Sequence, residues 1–138
     1  MTNLFIDTNI VLDVLAKRHP YYYSAAKLLT LADRKLCVLS VTSLTLANTH
    51  YVLAKLKSAN QSKEVLRKLR LMLQVLSLDA KVVDLALNDE DFNDFEDGLQ
   101  YYAALENRQD VILTRDINGF KSSRIPVMTP QEFLASLP

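Results

Sequence analysis

Asn3-Leu4-Phe5-Ile6-Asp7-Thr8-Asn9 is a brief apolar run closed by three polar side chains. Leu4, Phe5 and Ile6 fit a strand inside a sheet, because a short apolar run bounded by polar residues suits a strand covered on both faces. Ile10, Val11, Val14 and Leu15 follow at helical spacing, so the chain opens as a strand, a turn and a helix. Asp7 then stands at the carboxyl end of the first strand, where open α/β sheets keep their ligand crevices. A carboxylate there can cap the following helix or hold a hard cation through oxygen.

The remainder alternates in the same way. Strands are expected over about Leu36–Ser40, Val75–Leu78, Val111–Leu113 and Ile125–Met128. Helices are expected over about Ser24–Ala32, Leu44–Leu56, Ser62–Leu73 and Ala80–Leu87, then through Glu106 and over Pro130–Leu137. Alternation of this kind implies right-handed crossovers and a mostly parallel sheet of about five strands between helical layers. No linker, repeat or low-complexity segment divides residues 1–138, so a single domain is expected.

Composition narrows the chemistry. Only two glycines are present, Gly98 and Gly119, too few for a phosphate-binding loop or a dinucleotide fingerprint. One cysteine and two histidines argue against a zinc site of the usual nitrogen and sulfur kind. No exposed-serine elbow is present. Lys and Arg together number 16, as do Asp and Glu, so any attraction for nucleic acid must come from local patches. The opening residues carry no basic region and no apolar run approaches a membrane span, which leads to the expectation of a cytoplasmic protein. Cys37, in the apolar run Leu36–Leu39, reads as a buried thiol in a reducing compartment.

Carboxylate is what the chain has in abundance. Six of the nine residues from Asp89 to Asp97 are acidic. Most of these read as a solvated loop with acids at a helix start, but Asp94 and Asp97 share one helix face at i and i+3. Gln100, Tyr101 and Ala104 continue that face, leaving Phe95, Leu99 and Tyr102 for the core. Asp116 follows the strand Val111–Leu113, on the same rim of the sheet as Asp7 if the two strands are close. It also suits a turn, in Asp116-Ile117-Asn118-Gly119. Acids gathered on one rim repel one another unless a divalent cation neutralises them. Mg²⁺ or Mn²⁺ in such a place activates water and offsets charge on a phosphodiester.

Four segments in order, Leu4–Ile10, Ser43–Ala47, Asp94–Gln100 and Leu113–Asp116, resemble the PIN domain. The likeness covers nearly the whole chain and is greatest to single-domain PIN proteins that act as ribonuclease toxins of type II toxin–antitoxin pairs. The resemblance implies a three-layer α/β/α fold and Mg²⁺- or Mn²⁺-dependent endonucleolytic cleavage of single-stranded RNA. Carried over by position, Asp7, Asp97 and Asp116 are the catalytic, metal-holding acids, and Thr8, Asn9 and Thr114 line their pocket. The family usually has Glu on the long central helix where this chain has Asn48. An amide oxygen can still ligate, but one negative charge is lost, and Asp94 is a candidate for restoring it. A catalytically weak PIN module that binds RNA or protein is therefore the alternative.

Six of the 16 basic residues lie between Lys55 and Arg70. Lys55, Arg67 and Arg115 are candidates for RNA contact, and Tyr21, Tyr22 and Tyr23 for base stacking, although a packed turn suits the tyrosines better. The resemblance also implies a small antitoxin partner and a homodimer built on the helices between Leu44 and Leu73. Outside this family, a phosphatase with Asp7 as nucleophile wants a second Asp where Asn9 stands. A receiver domain wants an acid adjacent to Asp7 and a Lys after Thr114; this chain has neither.

Overall fold

The computed structural model describes residues 1–138. Its elements in order are β1 (Thr2–Ile6), α1 (Thr8–Leu15), α2 (Tyr22–Asp33), β2 (Cys37–Thr42), α3 (Ser43–Leu56), α4 (Ala59–Arg70), β3 (Leu73–Leu76), α5 (Ala80–Asn88), α6 (Phe95–Glu106), β4 (Val111–Leu113), β5 (Val127–Met128) and α7 (Pro130–Ala135), with a 3-10 turn at Ile117–Phe120. The five strands lie in the order β3-β2-β1-β4-β5, and every pairing is parallel.

Alternation along β1 feeds two cores at once, since successive strand side chains point to opposite faces. Leu4 and Ile6 join Ile10, Leu28, Leu39, Leu69 and Phe133 on one face. Phe5 joins Val82, Phe92, Tyr101, Ala104 and Ile112 on the other. Helices α1, α2, α4 and α7 thus cover the first face, and α5 with α6 the second. Each core holds 13 buried residues, so β1 is sealed on both sides and its polar end has only the rim to face. No helix is long and apolar enough to cross a membrane.

Local chemistry fixes the ends of elements. Thr42, Ser58 and Asp79 cap α3, α4 and α5 by accepting an N–H three residues on. Thr129 and Glu132 form a reciprocal capping box around Pro130. Several boundaries differ from expectation; α4 begins at Ala59 rather than Ser62, and β5 at Val127 rather than Ile125. β3 occupies Leu73–Leu76 rather than 75–78, and α4 stops at Arg70, because Leu73 pairs with Leu39 and closes the core. The apolar residues from Leu69 to Leu78 are too dense for periodicity to mark that switch. Tyr22 and Tyr23 form the first turn of α2 instead of a separate turn. In α6, Leu99 and Tyr102 are buried as expected, but Phe95 is exposed while Tyr101 is buried and stacked on Phe92 at 4.7 Å between centroids, the reverse of what was expected for those two.

Candidate active site

The strand order reverses direction beside β1: the chain moves outward through β2 and β3, then returns to add β4 on the other side. Such a switch point leaves a crevice at the carboxyl ends of the two strands. β1 delivers Asp7 there and β4 delivers Thr114, Arg115 and Asp116. The Asp7 N–H donates to the Leu113 carbonyl (3.0 Å), which ties the two strand ends together. The helix α3 contributes Asn48, and the first turn of α6 contributes Asp94, Glu96 and Asp97. A cavity of about 310 Å³ is lined by these side chains together with Asp7, Thr8, Asn9, Leu12, Gln100 and Asp116.

Asp7 is buried and held from several directions. Its Oδ1 accepts the Thr8 N–H (2.8 Å), so it caps α1, while Oδ2 accepts the Thr114 hydroxyl (2.9 Å) and Asn9 Nδ2 (3.3 Å). The helix-cap reading of Asp7 is thus realised through Oδ1, and the residue also lines the cavity. Below the acids lies a polar floor that sequence reasoning left out. Buried Gln100 accepts the Thr42 hydroxyl (2.7 Å) and donates to that of Thr45 (2.9 Å), which in turn meets the Thr8 hydroxyl (2.9 Å). That network joins β2, α3, α6 and α1. The only signal for it was Gln100 lying one turn after Asp97.

Electrostatics follow from the crowding. Burial pushes the Asp7 carboxyl up, against the hydrogen bonds from Thr114 and Thr8, and the charges of Asp116 and Glu96 push the same way. Asp97 is half-buried and is pushed up to about 7, by burial first and then by Asp94, Asp7, Asp116 and Glu96. Asp116 is exposed, and its Oδ1 accepts the Gly119 N–H (3.1 Å). A Cβ built on Gly119 would lie 2.4 Å from Asp116 Oδ2 and 2.8 Å from Asp97 Oδ2. The missing side chain is what lets the two carboxylates stand beside each other.

This donor set, oxygen throughout with no thiol or imidazole, fits a hard divalent cation such as Mg²⁺ or Mn²⁺. In this conformation no three of the acids converge closely enough to form a closed ligand set. Asp94 is the N-cap of α6, its Oδ1 accepting the N–H groups of Glu96 (2.8 Å) and Asp97 (3.4 Å). Of the six acids between Asp89 and Asp97, Asp94, Glu96 and Asp97 face this cavity. Asp89, Glu90 and Asp91 line a separate depression with Tyr102 and Arg124.

The basic candidates lie elsewhere. Arg115 flanks the cavity, but its guanidinium is bound through Nε and Nη2 to the buried Asp13 (2.8 and 3.0 Å) and lies 3.9 Å from the Tyr21 ring centre. Lys55 is exposed on α3, its ammonium 4.1 Å from the centre of the Tyr51 ring. Arg67 lines a groove between α3 and α4 with Leu46, His50, Lys63, Leu66 and Arg70.

Ribonuclease VapC1 of Aquifex aeolicus is 31% identical over 134 residues, spanning 94% of this chain and 92% of that protein. The structure of VapBC2 from Rickettsia felis, bound to a DNA fragment from its promoter, gives a TM-score of 0.71 at 20% identity, over 93% of this chain and 98% of that one. VapC20 of Mycobacterium tuberculosis, a sarcin-ricin loop cleaving toxin, gives 0.67 at 15% identity, over 86% and 94%. These structural likenesses speak for the fold. A PIN domain model matches residues 3–118, and with the relative from Aquifex aeolicus it shows that this chain belongs to the PIN domain family.

Proposed function

We propose that the chain, acting as one domain over residues 1–138, is a metal-dependent endoribonuclease that cleaves single-stranded RNA. We further propose that it is the toxin of a type II toxin–antitoxin pair. The observation that carries this reading is the gathering of Asp7, Asp97 and Asp116 around one cavity by three elements far apart in sequence, with Asn48 at its side. The relative named ribonuclease VapC1 supports the activity, and the VapBC complex among the structural likenesses supports a small antitoxin as partner. A cytoplasmic location and a homodimer belong to the same reading.

Asp7, Asp97 and Asp116 are the metal-holding acids in this proposal, with Asp94 and Asn48 beside them. A bound Mg²⁺ or Mn²⁺ supplies charge neutralisation at the phosphodiester and activation of the attacking water. The protein's own part is orientation. Thr114 and Asn9 fix the Asp7 carboxylate, and the Gln100 network holds the Thr8 and Thr45 hydroxyls in place below it. A phosphodiester meets net repulsion from these acids until cationic charge enters, so RNA and metal are expected to bind together. Lys55 and Arg67 lie outside the cavity and serve RNA or the antitoxin as phosphate or carboxylate contacts. Arg115 presents only the edge left free by Asp13. Asn48 in place of a carboxylate favours the second reading, a module that binds RNA or protein with weak or no cleavage.

The test is cleavage of a mixed single-stranded RNA by the purified protein with Mn²⁺, with Mg²⁺ and with chelator. Asp7→Asn keeps the cap on α1 but removes the charge, and is expected to lower the rate by at least about a hundredfold. No cutting by folded, antitoxin-free protein in any condition would favour the binding module.

A further inference from the structure

The turn between α1 and α2 carries a cluster that the proposed function leaves unused. From Lys17 to Tyr23 the chain holds two cations, a histidine and three tyrosines in seven positions. A packed turn would bury the rings, yet Tyr23 keeps 64% of its surface exposed and Tyr21 37%. Lys17, Arg18 and His19 are exposed as well, and neither cation is paired with an acid. The rings stand together: that of His19 lies 5.7 Å from Tyr22 and 5.3 Å from Tyr23, and those two tyrosines are 5.6 Å apart, between centres.

This cluster adjoins the cavity through Arg115. The Arg115 N–H donates to Asn9 Oδ1 (3.4 Å), and Asn9 lines the cavity. Its guanidinium, fixed by Asp13, backs the Tyr21 ring. Because Asp13 neutralises it, Arg115 positions the tyrosine rather than drawing phosphate. Exposed π-faces flanked by free cations suit unpaired nucleotides, with rings for the bases and positive charge for the phosphates. Residues 55–70, the other basic stretch, include no aromatic side chain. The acids of the cavity repel phosphate until metal enters, so a strand needs a hold beside them.

We infer that the turn between α1 and α2 binds the unpaired nucleotides flanking the bond held in the cavity. Tyr21 and Tyr23 stack on bases, and Lys17 and Arg18 meet phosphates. This rests on the nuclease reading given above and adds to it where the strand runs outside the acids.

Chelator isolates this surface. It stops metal-dependent cleavage and leaves the cavity repelling phosphate, so RNA that still binds is held outside the acids. The reading is fluorescence anisotropy of a labelled, mixed-sequence single-stranded RNA of about 12 nucleotides. Melting curves show that each full-length variant is folded. Tyr23→Ala is expected to weaken binding at least about fivefold, and Tyr23→Phe, which keeps the ring, by less than about twofold. A duplex of the same sequence, whose bases already stack on one another, is expected to show no loss in Tyr23→Ala. Arg18→Ala is expected to lower the slope of log affinity against log salt by about 0.7, one phosphate contact on a single strand. Wild-type affinity in Tyr23→Ala, or an equal loss with the duplex, overturns the stacking. An unchanged salt slope in Arg18→Ala overturns the phosphate contact. If the two substitutions spare RNA and weaken binding of a polyglutamate peptide, the surface belongs to an acidic protein partner and the inference falls. Wild-type protein that binds no RNA in chelator but cuts it with Mn²⁺ overturns the site and leaves the nuclease reading standing. Protein that does neither overturns both.

Discussion

Gly119 lacks a side chain where one would press on two carboxylate oxygens, those of Asp116 and Asp97. Both are ends of mobile side chains, so an added methyl displaces them at small cost to the fold. Gly119→Ala is expected to leave thermal stability within about 1 kcal/mol of wild type while weakening Mn²⁺ binding; an unchanged affinity would show that the two acids need not be adjacent. The residue level also shows what the sequence could and could not disclose. Asp7 and Asp116 were legible because each follows an apolar strand. Asp97 was legible from its helical spacing to Asp94. The contact between Asn48 and Glu96 was not, because 48 residues separate them and no periodicity connects two helices across a cavity. Arg115 looked like a free cation in the sequence, but its partner Asp13 lies inside α1, in a position that reads simply as one polar residue in an amphipathic helix.

Three helices end in the same way, with little help from glycine. After α1, α2 and α6 the chain turns through Lys17, Lys35 and Arg108, at φ of 49°, 60° and 52°. Behind α2 the Leu36 N–H reaches the Leu31 carbonyl (2.9 Å) and the Lys35 N–H that of Ala32 (3.0 Å), the paired bonds of a Schellman motif. The left-handed conformation costs a side-chain-bearing residue about 1–2 kcal/mol, part of which glycine gives back as chain entropy. Lys35→Gly is therefore expected to stabilise the protein by up to about 1 kcal/mol in urea unfolding. A loss of stability would mean that the lysine has a role the turn does not reveal. With two glycines in the chain, these C-termini had no sequence marker, which is one reason helix ends were harder to place than helix centres. The strand β3 slipped by two residues for a related reason: hydrophobic density from Leu69 to Leu78 conceals where the period changes from helix to strand.

At the scale of the molecule, the acids on one rim set a dependence on pH. Asp97 has its carboxyl moved from 3.8 to about 7, and burial moves Asp7 in the same direction. A carboxyl that binds its proton more tightly when folded stabilises the native state at low pH, and this contribution is lost as pH rises through its folded value. Metal-free protein is thus expected to lose stability between about pH 4 and 7 on account of Asp97. The fall in melting temperature from pH 5 to pH 8 should be smaller in Asp97→Asn than in the wild type. An equal fall in both would place the cause elsewhere. The fold that gathers these acids also sets when they can meet. Asp7 is made long before its partners on the rim: β1 finds its neighbour β4 only at Val111–Leu113, and Asp116 comes later still. Pairings so distant form late in folding. During synthesis the amino-terminal half can therefore leave the ribosome without a finished cavity. A chain truncated after Asp110 is expected to bind no Mn²⁺ and to show no cooperative melting. On the proposed function, a nascent copy is harmless to the RNA around it until its last strands are in place.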